Sequence, residues 1–192
     1  MKKLLGVILF LLASACNAQI VNELEKRCNQ NDLNACSDLG TKYQNTESVR
    51  QNKSKAAEFY QKACHGGLSK SCYSLAAMYH LGTGVRQEKA KAVELYQKAC
   101  DGGFTPGCDF VGAMYVAGEG VPQDYFKAAE LFQKNCDAGS PVSCTHLGRM
   151  YRSGMGVRQD TAKALSLFGK SCDLKNQSGC ENYANLKSMG VK

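Results

Sequence analysis

The sequence is poor in most of what a catalytic centre or a membrane span is built from. After the first dozen residues no apolar run approaches the roughly 20 residues a spanning helix needs, so no transmembrane segment is expected. The three histidines, His65, His80 and His146, are scattered, and the eleven cysteines include no C-x-x-C pair. That leaves no zinc-site spacing and no C-x-x-C-H for haem. No Gly-x-Gly turn is followed by Gly-Lys-Ser/Thr at phosphate-loop spacing, so neither metal nor cofactor is expected. Basic residues exceed acidic ones by 24 to 17, a formal charge of +7, but they form no run. Such a distribution reads as a solvated surface rather than a nucleic-acid footprint, which needs a basic stripe with interleaved aromatics.

What is present begins with a leader. Lys2 and Lys3, the apolar stretch Leu4 to Leu12 and the small residues Ala13-Ser14-Ala15 follow the three-part order of an export signal. Residues 1–18 are read as a signal peptide cut after Ala15 or Ala18, and 19–192 as a secreted or periplasmic chain. Cys16 opens a second route, lipid anchoring, although Leu12 stands one place too early for a lipoprotein signal. Loss of the two leader lysines lowers the formal charge from +7 to +5. The cysteine content points independently to an oxidising compartment.

Ten of the eleven cysteines fall on two series of period 36: Cys28, Cys64, Cys100, Cys136, Cys172, and Cys36, Cys72, Cys108, Cys144, Cys180. Each unit carries two apolar stripes at helical spacing. Cys72, Leu75, Ala76 and Tyr79 form the first, and Ala92, Leu95, Tyr96 and Ala99 the second. Between them lie GTGV, GEGV or GMGV, whose glycines suit a tight interhelical turn. Ser69, Thr105 and Ser140 are expected N-caps, with Pro106 and Pro141 in the first helical turn. The small residue four after each second cysteine (Gly40, Ala76, Gly112, Gly148, Ala184) predicts a close approach of two helix backbones, since glycine inside a helix costs about 1 kcal/mol. Lys187 replaces the last stripe tyrosine, as befits a terminal helix. The expected architecture is an all-α, right-handed α/α solenoid of about four 36-residue hairpins and a capping helix, one array over 19–192.

Two disulfide patterns suit the period. One joins Cys28 to Cys36, Cys64 to Cys72, Cys100 to Cys108, Cys136 to Cys144 and Cys172 to Cys180. The other joins Cys36 to Cys64, Cys72 to Cys100 and so on, which strands Cys28 and Cys180 at opposite ends. Local pairing leaves no orphan and is the expected one. Each such bridge contributes about 2.5 kcal/mol by loop-closure entropy.

The unit LGxxYxxGxGVxQDxxKAxxLFxKxC resembles the Sel-like repeat, a relative of the tetratricopeptide repeat. With cysteines at this spacing behind an export signal, the chain is similar to the Helicobacter cysteine-rich protein family from about Val21 to Lys187. The first copy departs from the pattern, because Thr46-Glu47-Ser48 replaces the Gly-x-Gly turn, and a looser loop is expected there. The resemblance implies a secreted or periplasmic protein. Some members are described as penicillin-binding with slow β-lactamase activity, and relatives hold peptides or proteins in a concave groove. No agreed catalytic motif comes with it.

The residues offer little to an enzyme. S-x-x-K, S-D-N and K-T-G, the parts of a serine β-lactamase, are all missing. Glu58, Glu94 and Glu130 recur in one slot, which favours a shared structural role, and His146 reads as packed or solvated. A solenoid groove is instead lined by the first helix of each unit, at slots that vary between copies. Those slots carry Ser37, Tyr73, Asp109 and Thr145; Thr41, Ala77, Ala113 and Arg149; and Gln44, His80, Val116 and Arg152. Tyr73, His80, Asp109, Arg149 and Arg152 are the candidate ligand contacts. Arg149 and Arg152, expected near His80, could together receive a carboxylate. The function expected is a monomeric secreted or periplasmic scaffold binding a peptide, a peptidoglycan fragment or a protein. A slow β-lactam hydrolase with unknown catalytic residues is the alternative that the resemblance implies, and host-directed signalling lies beyond what residues show.

Overall fold

The computed structural model describes residues 18–45 and 52–192. The leader up to residue 17, with Cys16, and the Thr46-Glu47-Ser48 turn lie outside the described residues. Every regular element among them is helical: α1 over 18–29, then α2 (Leu33–Asn45), α3 (Lys53–His65), α4 (Ser69–Leu81), α5 (Lys89–Asp101), α6 (Thr105–Ala117), α7 (Tyr125–Asp137), α8 (Pro141–Ser153), α9 (Thr161–Asp173) and α10 (Gln177–Ser188). They divide into two compact units, one ending at Glu88 and one running from Lys89 to Lys192. Within each unit consecutive helices pack on one another. No helix among the described residues is long and apolar enough to cross a membrane.

All ten period-36 cysteines pair locally: Cys28–Cys36, Cys64–Cys72, Cys100–Cys108, Cys136–Cys144 and Cys172–Cys180. Each bridge joins the end of one helix to the first turn of the next, with Cα atoms 4.4 to 4.8 Å apart. The two predicted stripes line the core, except that in the second, Ala92, Leu95, Tyr96 and Ala99, Leu95 is half-buried and Val93 is buried in its stead. Cys72, Leu75, Ala76 and Tyr79 are buried, as are Ala128, Phe132 and Cys136 on a second helix. A methionine slot not anticipated from the sequence, Met78, Met114 and Met150, is buried too.

The close approach at the small-residue slot is made by a ring, not by a second backbone. A Cβ on Gly40, Gly112 or Gly148 would stand 2.6 Å from the ring of Tyr60, Phe132 or Phe168 on the following helix. The glycine removes a side chain so that an aromatic can lie flat on the helix, and burial of that ring offsets the cost in helix propensity.

The Gly-x-Gly turns divide their work. Gly82, Gly118 and Gly154 are left-handed C-caps of α4, α6 and α8. The second glycine seats the turn on the N-terminus of the preceding second helix, where any Cβ on Gly120 or Gly156 would collide with backbone of Lys89 or Tyr125. The Gln-Asp pair that follows closes the loop. Gln123 and Gln159 donate to the carbonyls of Val116 and Arg152 at 2.8 and 2.9 Å, and Asp124 and Asp160 cap α7 and α9. Ser140 caps α8 as expected. Ser69 and Thr105 do not cap: they are the first helical residues, and Leu68 and Phe104 hold the cap positions with no side-chain bond. The disulfide next to each of those starts already fixes the turn.

Candidate functional site

In the second unit the first helices α6, α8 and α10 place their variable slots on one face. Arg149 and Arg152, one turn apart on α8, are exposed. Each is held by a neutral side chain of α10: Arg149 Nη2 donates to Ser178 Oγ at 2.9 Å, and Arg152 Nη1 to Asn182 Oδ1 at 3.2 Å. The Arg152 guanidinium also lies over the Phe168 ring, 6.0 Å from its centre. Among the described residues neither guanidinium is paired with a carboxylate.

His146 lies half-buried one turn before Arg149, its imidazole stacked on Phe132 with centres 4.9 Å apart. Burial, reinforced by the Arg149 charge, pushes its pKa below the ordinary histidine value, while the Asp109 charge opposes that shift. The ring is therefore a neutral, packed group at pH 7.

Asp109, on α6, accepts from the Ser140 hydroxyl at 2.9 and 3.0 Å and from the buried Ser143 hydroxyl. Burial raises its pKa above the usual carboxylate value, and the hydroxyls of Ser143 and Ser140 act in the opposite direction. One repeat on, Thr145 fills the same slot: its hydroxyl donates to Asn176 Oδ1 at the start of α10, at 3.4 Å, and bonds Ser171 Oγ on α9 at 2.7 Å. The slot thus links adjacent first helices at the disulfide end, a role that is visible only when residues 31 to 34 apart meet.

Of the other candidates, Tyr73 and His80 are half-buried on α4, in the first unit; the His80 carbonyl accepts from Gln87 Nε2 at 2.7 Å. Glu58, Glu94 and Glu130 are all exposed on second helices. Among the described residues no group of three His, Cys, Asp or Glu side chains could hold a metal ion.

Charge adds a feature that a search for basic runs passes over. Residues 141–192 hold eight lysines and arginines against three acids, while 16–140 hold fourteen of each. The basic residues are spread evenly; it is the acids that thin out, around the two arginines.

Comparison with known proteins places this geometry. The Sel1 repeat profile matches residues 33–68, 69–104, 106–140 and 141–176. A protective antigen of uropathogenic Escherichia coli strains is 32% identical with a TM-score of 0.83, over 88% of this chain and 36% of that one. The chain therefore spans about a third of that relative's length. Helicobacter pylori cysteine rich protein B is 30% identical with a TM-score of 0.54, over 69% of this chain and 96% of that one. A Sel1 repeat protein of Oxalobacter formigenes, 22% identical over 83% of this chain and 65% of that one, shares the fold with a TM-score of 0.78. No curated protein matches the sequence.

Proposed function

Because the chain belongs to the Sel1 repeat family, we propose that it is an extracytoplasmic, monomeric binding scaffold that holds a peptide or protein ligand by a carboxylate on the first-helix face of its second unit. Five disulfides and the leader-like residues 1–18 support placement in an oxidising compartment, with cleavage after Ala15 or Ala18 and Cys16 as the site of any lipid anchor.

The observation that carries the reading is the pair Arg149 and Arg152. Both guanidiniums are exposed, oriented by neutral partners on α10 and set in an acid-poor segment. A carboxylate arriving there meets donors that are already positioned, which lowers the ordering cost of binding.

The test is fluorescence anisotropy on the oxidised mature chain, with peptides ending in a free carboxylate or in an amide. Hydrogen bonds to charged groups contribute about 1.5–3 kcal/mol, so Arg149→Ala with Arg152→Ala should weaken carboxylate peptides tenfold or more and leave amides unaffected. Equal affinity for both peptide classes removes the reading. A covalent adduct on incubation with a penicillin, seen by intact mass, would replace it with the hydrolase alternative.

A further inference from the structure

At the disulfide end of the second unit a cleft of about 320 Å³ opens between the start of α6 and the turn from α7 into α8. Its walls are apolar: Pro106, Ala138, Pro141 and Val142. Its polar lining includes Asp109 and Ser140. The carboxylate takes hydroxyl bonds from Ser140 and Ser143 only, and Oδ2 takes none but the shared bond from Ser140. A carboxylate has about four acceptor sites, so Oδ2 keeps capacity. Among the described residues no cation is paired with it, and the one titratable group acting on it is His146, which is neutral at pH 7.

A half-buried carboxylate without a counter-ion is costly unless something compensates it. The other copies avoid that cost: three place Ser37, Tyr73 and Thr145 in the slot, and the last an exposed Glu181. The link between first helices does not need an acid either, since Thr145 makes the equivalent one with a hydroxyl, to Asn176 Oδ1 at 3.4 Å. Asp109 is thus the one half-buried acid in this slot, displayed at the foot of an apolar cleft. Long cationic side chains bury an aliphatic stem against apolar walls and deliver a charge at the tip.

We propose that this cleft binds a lysine side chain of the ligand, its stem between Pro106, Pro141 and Val142 and its ammonium on Asp109 Oδ2. The inference deepens the carboxylate reading and rests on it for the kind of ligand. The two together give the second unit an anionic pole on α6 and a cationic pole on α8, which orients a peptide across the helices.

The test is a library of random octapeptides, half ending in a carboxylate and half in an amide, selected on the immobilised oxidised mature chain. Retained peptides should be enriched in lysine. Replacing that lysine by norleucine should weaken binding to the unsubstituted protein tenfold or more, and change nothing for Asp109→Asn. Val142→Lys, which keeps the Asp109 hydrogen bonds and supplies a tethered ammonium, should abolish the lysine preference as well. Equal binding of lysine and norleucine peptides to the unsubstituted protein overturns the inference. If carboxylates are still preferred over amides, the reading of Arg149 and Arg152 stands without it. A lysine preference without a carboxylate preference has the opposite meaning, and a library that yields no binder overturns both.

Discussion

Two glycines of one turn separate the cost of a backbone conformation from the cost of a close approach. Gly154 and Gly156 have almost the same left-handed φ, 73° and 66°. A Cβ on Gly154 would meet nothing nearer than Gln159 Cβ at 3.4 Å, an ordinary contact. A Cβ on Gly156 would lie against the carbonyl carbon and oxygen of Tyr125, with Tyr125 Cβ at 2.8 Å. An L-residue in the left-handed region costs about 1–2 kcal/mol, and that is all Gly154→Ala should lose. Gly156→Ala bears the same cost plus an overpacking term of about 1–3 kcal/mol, because backbone cannot rotate away as a side chain can. The pair should therefore be destabilised by roughly 1 and 3 kcal/mol, or about 2–4 °C of melting temperature per kcal/mol in a chain of this size. Urea and thermal unfolding followed by far-UV circular dichroism, without reductant, measures both. Equal losses would mean that the turn does not sit on the N-terminus of α7.

The remaining expectations are shorter. Cys136→Ser with Cys144→Ser should lower stability by about 2.5 kcal/mol through loop closure, and excess reductant should melt the whole array; an unchanged far-UV melt in reductant would refute the staple argument. Asn135 is buried with its side-chain nitrogen unpartnered, while Ala63 and Ala99 fill the same slot. Asn135→Ala should therefore gain about 1 kcal/mol, and a loss would show an unseen partner. The folded-state pKa of His146 lies below 6.5, so its contribution is present above that pH and lost on acidification; His146→Phe should flatten urea stability between pH 7 and 5, and an unchanged slope would contradict its burial. Asp109 has the opposite sign: its pKa is raised above 3.8, so its contribution is present below that pH and is lost as pH rises through the shifted value. Asp109→Asn should remove this decline, and a persistent one would assign it elsewhere.

Much of the fold was legible because the information is local. A cysteine pair eight residues apart closes its own turn, and stripes at i, i+3, i+4 and i+7 mark a helix face without knowledge of any partner. The errors fell where a neighbouring element decides. Ser69 and Thr105 look like caps by composition, yet a hydrophobic residue before each holds the cap position. The candidate site was legible only as a set of varying slots. Arg149 and Arg152 could be placed on one face from their spacing, but not the neutral partners that leave their charge uncompensated.

By itself the sequence determined the period and the helical hairpins and favoured the five local bridges, since each depends on residues within one turn or one repeat of each other. Tertiary structure alone decided that the Gly148 slot faces the Phe168 ring and that Asp109 is desolvated beside Ser140 and Ser143. Those outcomes depend on which atoms of helices 20 to 34 residues apart come into contact. Burial and the loss of water, unlike helical spacing, exist only once that contact is made.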